Sequence, residues 1–254
     1  MPQPQKQNQL KNNGYLIVAS VSKAYYVSAI NLANSILDFY PEAKITLFTE
    51  PEFFEERHRE LFDVVDLTAP HHVRAKLYAL PKTPYEITAY IDADCEVQDE
   101  AISTIFDQLG DSDIMMTEIR AYSGADLFIS KTEKLRWHCG VFIYRNSQLV
   151  LEMMQDWWTE YFYQKDVHPW PWKNHSPKMR PWDQYTFYRL YTSDKYKDVK
   201  ISVFPGEDAR WNYVHNYKPS EITSDPIIFH YTLKKGDVDA GRIHKKYTTT
   251  QDTQ

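Results

Sequence analysis

The stretch Ile87-Thr88-Ala89-Tyr90-Ile91-Asp92-Ala93-Asp94 is a short apolar run that stops on two carboxylates. A run of this kind reads as a buried strand, so its polar end must lie where a sheet meets solvent. Side chains alternate faces along an extended chain, so Asp92 and Asp94 point the same way and can converge on one ion while Ala93 packs behind them. Two carboxylates suit a hard divalent cation, which keeps coordination positions for water and substrate phosphates. Alone, the pattern also describes an acidic turn after a strand; the surroundings decide between the two.

Those surroundings alternate strand-like and helical segments. Residues 15–19, 45–49 and 64–67 read as strands. Between them, residues 24–38 form a helix whose polar stripe is Ser28, Asn31, Ser35 and Asp38, and residues 52–61 a charged amphipathic helix begun near Pro51. A helix over 74–80 ends at Pro81 and leads into the carboxylate strand. Beyond it come a helix over 101–109, a strand over 113–117, an irregular stretch over 118–136 and a strand over 137–144. Ser147 can cap a long helix to about residue 162, with Val150, Met153, Met154, Trp157, Trp158 and Tyr161 on its buried side. Asp183 and Gln184 open a helix to about residue 191, and residues 201–204 and 227–229 are further strands. The pattern predicts an α/β fold, one domain over 14–236 with a mainly parallel central sheet flanked by helices and ligands at the carboxyl ends of the strands. Residues 1–13 are expected to be a disordered tail and residues 237–254 a flexible one.

Composition narrows the function classes. Only 7 glycines argue against a glycine-rich phosphate loop, and 19 Tyr, 12 Phe and 7 Trp suit stacking on bases or sugars as well as core packing. A formal charge of −6 argues against a dedicated non-specific nucleic-acid binder. Two cysteines, Cys95 and Cys139, imply no disulfide framework and a reducing compartment; with no membrane-length apolar run and no signal-like N-terminus, a soluble cytoplasmic protein is expected. The long loop between Gln164 and Pro181 has the length of a lid or binding loop. Its Trp170, Trp172, Lys173, Lys178 and Arg180 suit a sugar, or a nucleic-acid strand gripped by stacking and charge.

Taken together, Lys76-Leu77, Thr83-Pro84-Tyr85, Tyr90-Ile91-Asp92-Ala93-Asp94, Cys139-Gly140-Val141, Asp183-Gln184 and Phe229-His230-Tyr231 resemble, in order, the motifs of GT-A fold nucleotide-sugar glycosyltransferases, glycogenin-like and bacterial galactosyltransferase-like family 8 enzymes in particular. The resemblance covers roughly residues 15–232. It implies a single GT-A (Rossmann-like) domain that transfers a hexose from a UDP-sugar to an acceptor hydroxyl, a carbohydrate or, as an alternative, a modified base in DNA. It further implies that Asp92, Asp94 and His230 hold Mn²⁺, with Mg²⁺ as the alternative, on the donor diphosphate. A histidine beside carboxylates shifts preference toward Mn²⁺. Tyr25 falls where relatives stack an aromatic on uracil, with Tyr26 as its competitor, and Lys76 where they place a basic residue near the diphosphate. Gly140 would leave room for the donor sugar, with His138 beside it. Asp183 and Gln184 match the pair beside the anomeric carbon. Asp183 would stabilise an oxocarbenium-like species in a retaining enzyme or act as base in an inverting one, unless it merely caps its helix. The chain departs from the pattern after His230, where Leu233 stands in place of glycine and Gly236 in place of lysine, leaving Lys234 or Lys235 to contact phosphate. A sugar-1-phosphate nucleotidyltransferase would use a similar sheet but needs a glycine-rich loop that Ser20-Val21-Ser22-Lys23-Ala24 lacks. A non-catalytic nucleotide- or carbohydrate-binding module is the remaining class.

Overall fold

The computed structural model describes residues 11–120, 135–166, 183–214 and 223–231. The expected tail over 237–254, Lys234 and Lys235, and the tryptophan-rich part of the loop before Asp183 lie outside the described residues. In chain order the strands are β1 (Lys11–Ala19), β2 (Ile45–Thr49), β3 (Val64–Asp66), β4 (Tyr85–Ile91), β5 (Cys95–Val97), β6 (Ile114–Glu118), β7 (Trp137–Arg145), β8 (Ile201–Val203), β9 (Tyr213–Val214) and β10 (Ile228–His230). The α-helices are α1 (Lys23–Phe39), α2 (Ala75–Ala79), α3 (Gln148–Asp166) and α4 (Asp183–Tyr191).

Seven strands form the main sheet in the order β3-β2-β1-β4-β7-β6-β8. Every neighbouring pair is parallel except those made by β7, which runs against both β4 and β6. The sheet is therefore mainly parallel, as the alternation of elements predicts. Its inner strands are buried on both faces, and the edge strands β3 and β8 are partly exposed. Along β1, Tyr15, Ile17 and Ala19 join a core with Ala29, Leu32, Ala33 and Ile36 of α1. Leu16 and Val18, on the opposite face, join a second core with Met153, Met154, Trp157 and Tyr161 of α3. The period of two along the strand thus divides its residues between two helical layers.

The differences from the sequence reading have physical causes. β1 starts at Lys11, so residues 11–13, expected in the tail, extend a strand that pairs Lys11 with Tyr85 and Asn13 with Ile87. The helix expected over 52–61 is only a 3-10 helix, Glu56–Leu61, with none of its residues buried. Its apolar residues, Phe53, Phe54 and Leu61, are only partly buried against the core, and burial of a full apolar stripe is what stabilises most helices in proteins. Residues 100–109 also wind as a 3-10 helix, started by Asp99, whose carboxylate accepts from the Ala101 N–H at 2.8 Å. Pro81 lies within a 3-10 turn, Leu80–Lys82, that continues α2.

The carboxylate strand is also shorter than expected. β4 stops at Ile91, and the Cys95 N–H donates to the Asp92 carbonyl at 3.1 Å, closing a turn over Asp92–Cys95. The chain then enters β5, part of a second, three-stranded sheet in the order β5-β10-β9 that the sequence reading did not foresee. Here His230 lies opposite Cys95 across an antiparallel pair and beside Val214 across a parallel one. Among the described residues no helix is long and apolar enough to cross a membrane.

One contact fixes how closely β1 and β4 lie. A Cβ on Gly14 would fall 2.2 to 2.6 Å from three ring atoms of Tyr85, whose hydroxyl accepts from Thr46 Oγ1 at 2.9 Å. The ring is buried and tethered, so it cannot swing aside. Gly14→Ala is expected to cost about 1–3 kcal/mol by overpacking, measured as a lower denaturation midpoint; a wild-type midpoint would show that the Tyr85 ring can give way.

Candidate active site

The end of β4 meets the start of β7 because the two strands are antiparallel. Ile91 pairs with Val141, and one step further the Asp92 N–H donates to the Gly140 carbonyl at 2.7 Å. A Cβ on Gly140 would lie 2.6 Å from His230 Cε1, 2.9 Å from His138 Cε1 and 3.0 Å from Asp92 Oδ2. The missing side chain at Gly140 is what lets two histidines and a carboxylate crowd against one backbone.

Asp92 and Asp94 are presented to His230 by the turn rather than by strand alternation. His230 Nε2 stands 3.2 Å from Asp94 Oδ1 and 4.0 Å from Asp92 Oδ2. The backbone locks this arrangement, since the Tyr231 N–H donates to the Asp94 carbonyl at 2.9 Å. Asp94, Cys95 and His230 offer ligand atoms within 4.8 Å of one another. The Asp94 carboxylate and the His230 imidazole of that group, with the Asp92 carboxylate 4.0 Å from the imidazole at its margin, are donors that fit a divalent cation. Electrostatics agrees with that fit. Burial pushes the Asp92 carboxyl above the usual range and Asp94 and Asp183 add to the effect, with Lys76 and His230 opposing it. Asp92 is therefore short of positive charge, which a bound cation would supply.

On its other side Asp92 is held by the chain itself. Its Oδ1 accepts from the Tyr90 hydroxyl at 2.5 Å and from Lys76 Nζ at 3.2 Å. Lys76 is buried, and the same ammonium donates to the Cys139 carbonyl at 2.7 Å and pairs with Asp183 Oδ2 at 2.5 Å. Two hydrogen bonds and one close ion pair thus surround the ammonium with three oxygens. Asp183 is buried at the start of α4, and its Oδ1 lies 3.7 Å from Arg74 Nη1. Trp157 of α3 steadies the backbone there, donating from Nε1 to the Asp183 carbonyl at 3.1 Å. Burial alone would raise the Asp183 carboxyl, but the Arg74 and Lys76 charges outweigh it and hold it well below the usual carboxylate range.

Tyr25 is half-buried at the start of α1, and burial, followed by the charges of Asp94 and Asp92, raises its phenol pKa. It therefore shares the site's field, whereas Tyr26 is fully buried, its hydroxyl 3.0 Å from His58 Nδ1. Gln184 follows Asp183, partly exposed. The structure thus brings Asp92, Asp94, His230, Gly140, Lys76 and Asp183 together and sets Tyr25 within their field. Three participants escaped the sequence reading. Arg74 enters the sequence reading only as the first residue of a helix. Cys95 read only as a reduced thiol. Asn212, fully buried between His138 and His230, stands alone in a polar-aromatic stretch with no motif around it.

Lys76→Met should cost about 3–5 kcal/mol, because it leaves two carboxylates buried without their shared cation. The pH dependence has a definite sign. A depressed folded pKa means that the contribution of Asp183 is complete above the unfolded value of about 3.9 and is lost as pH falls through the folded value. The acid-unfolding midpoint of Lys76→Met is therefore expected at a higher pH than wild type by chemical denaturation across pH; coincident acid limbs would contradict the clamp.

Sequence comparison with protein-family models and with curated proteins gives no match. Comparison of structures does. The glycosyltransferase GlyE of Streptococcus pneumoniae TIGR4 superposes with a TM-score of 0.57 at 16% identity, over 89% of this chain and 55% of that one. The galactosyltransferase LgtC, solved with donor and acceptor sugar analogs, superposes with a TM-score of 0.53 at 14% identity, over 87% of each chain. A glycosyltransferase involved in glycosylation of the major capsid of PBCV-1 gives 0.50 at 15%, over 91% of this chain and 98% of that one. This chain thus spans about half the length of GlyE and nearly all of the other two. At such identities the likeness is one of fold, and the fold of this chain is the GT-A fold of these glycosyltransferases.

Proposed function

We propose that the chain is a metal-dependent glycosyltransferase that moves a hexose from a nucleotide-diphosphate sugar, a UDP-sugar, to an acceptor hydroxyl with retention of configuration. The observation that carries this reading is the convergence of Asp92, Asp94, His230 and an ionised Asp183 at the carboxyl edge of the sheet, where folds of this type bind ligands. Asp92, Asp94 and His230 would hold Mn²⁺, or Mg²⁺ with less complementarity to the imidazole. Once bound, the metal supplies positive charge against the departing nucleoside diphosphate.

The other side chains divide the remaining work. Tyr25, half-buried beside the carboxylates, is suited to stack on the base. Gly140 keeps the approach to Asp92 open at the backbone. Lys76 is enclosed by Asp92, Asp183 and the Cys139 carbonyl, so we assign it to positioning the two carboxylates rather than to gripping phosphate. Lys234 and Lys235, four and five residues after His230, are the proposed phosphate partners. Clamped by Arg74 and Lys76, Asp183 is too weak a base to deprotonate an acceptor hydroxyl efficiently, but it is a fixed negative charge. That charge, with the Gln184 amide next to it, suits stabilisation of an oxocarbenium-like species and favours retention over inversion.

With Mn²⁺ and a panel of sugar nucleotides, the protein should hydrolyse its donor slowly. Asp94→Ala should abolish this, and Asp183→Asn should lower kcat by on the order of 10²-fold, the scale of losing one preorganised electrostatic group. Absence of both turnover and nucleotide binding with every donor would overturn the reading. An inverted anomer in the product, seen by NMR, would overturn retention alone.

A further inference from the structure

Asn212 ends a 3-10 helix, Asp208–Asn212, and its side chain is fully buried between two buried histidines. Its Nδ2 lies 2.8 Å from His138 Nδ1 and 3.1 Å from Thr117 Oγ1, and its Oδ1 lies 2.8 Å from His230 Nδ1. An amide can be turned end for end, and either nitrogen of a neutral imidazole can carry the proton, so the contacts alone leave the pattern open. One backbone group closes it. The Gly140 N–H points at His138 Nδ1 at 3.1 Å, and a backbone N–H can only donate.

The rest follows by elimination. His138 Nδ1 accepts and carries no hydrogen, so the proton of this neutral ring is on Nε2. The amide atom facing the same lone pair must then be the NH₂. The other end is the carbonyl, which can only accept, so His230 Nδ1 carries a hydrogen whatever the state of its Nε2. That leaves Nε2 as the nitrogen aimed at Asp94 and Asp92.

We propose that Asn212 is a positioning residue that holds His230 with its proton on Nδ1 and its Nε2 presented to the carboxylate pair, while holding His138 in the opposite, Nε2–H tautomer. A ligating histidine works as a ligand only when its other nitrogen is fixed in this way, and loss of such a partner typically costs about 10- to 100-fold in metal affinity. The gain in affinity rests on the metal-dependent function proposed above; the pair of tautomers does not.

Two measurements test it. Long-range ¹H–¹⁵N spectra of histidine-labelled, metal-free protein should show a bare Nδ1 on His138 and a protonated Nδ1 on His230; a proton on His138 Nδ1, or a bare His230 Nδ1, overturns the proposal. In the second, Mn²⁺ affinity is followed by the EPR signal of free Mn²⁺. Asn212→Leu should weaken binding about 10- to 100-fold. Asn212→Asp, which keeps an acceptor for His230 but sets an acceptor against His138, should retain most of the affinity while altering the His138 resonances. Equal losses in both variants would mean a merely structural role, and wild-type affinity in Asn212→Leu would overturn the positioning. If the wild type binds no Mn²⁺, the metal-dependent function falls, and the metal-free spectra still decide the tautomers.

Discussion

The buried ammonium of Lys76 is the interaction on which the site depends. Moving a charge out of water costs several kcal/mol unless partners replace its hydration. Here the partners come from three separate elements: Asp92 after β4, the Cys139 carbonyl in β7 and Asp183 in α4. Each ties the position of one element to the others. A buried network of this kind adds little stability over an apolar core of the same volume. What it fixes is the spacing between the carboxylate that faces His230 and the carboxylate that faces Arg74, set before any ligand arrives. Such preorganisation is worth most where charge develops during a reaction.

How far this was legible in the sequence follows from the range of the forces involved. The long strands of the main sheet and α1 announce themselves through local periodicity, because each buries a continuous face against a helical layer. The 3-10 helix at Glu56–Leu61 did not, since charged residues with helical propensity look alike whether or not a core lies beneath them. Asp92 and Asp94 were recognisable as a pair, yet the alternation argument gave the wrong geometry: β4 ends at Ile91, and a turn presents the pair instead. Lys76 and Asp183 were singled out separately. Nothing in a sequence states that residues so far apart share a proton-sized gap in the interior. Asn212 was invisible for the same reason, being defined wholly by partners from β6, β7 and β10.

Two sheets are needed to build the site. The main sheet provides Asp92 and Gly140 from an antiparallel pair, while the small sheet provides His230 and Cys95 as direct cross-strand neighbours. The turn over Asp92–Cys95 is the only segment of chain linking β4 to β5, and it carries Asp94. A close approach between the sheets is required, and Gly140 permits it, because any Cβ there would strike side chains from both. The antiparallel direction of β7 matters for the same reason. It delivers His138, Cys139 and Gly140 at the start of the strand to the edge where β4 ends.

The first turn after β1 shows what that edge costs. Val21 adopts φ 75°, a left-handed conformation that a β-branched residue resists. Strain of this sort runs to roughly 1–3 kcal/mol and persists only where the surroundings over-determine it. They do so here. The Glu50 carboxylate at the end of β2 accepts from the Val21 N–H at 2.7 Å and from Ser20 Oγ at 2.6 Å, and its second oxygen contacts His71 Nδ1 at 2.8 Å. Ser20 Oγ in turn accepts from the His72 N–H at 3.2 Å, binding the loop that leads to Arg74 and Lys76. The chain bends sharply at Val21, and Ser22 then caps α1 through the Tyr25 N–H at 3.4 Å. A relaxed extended residue at Val21 would start α1 elsewhere and carry Tyr25 away from the carboxylates. The strain and the buried Glu50 that sustains it are therefore one device: they hold the half-buried aromatic ring of α1 and the loop before α2 against the same end of the sheet.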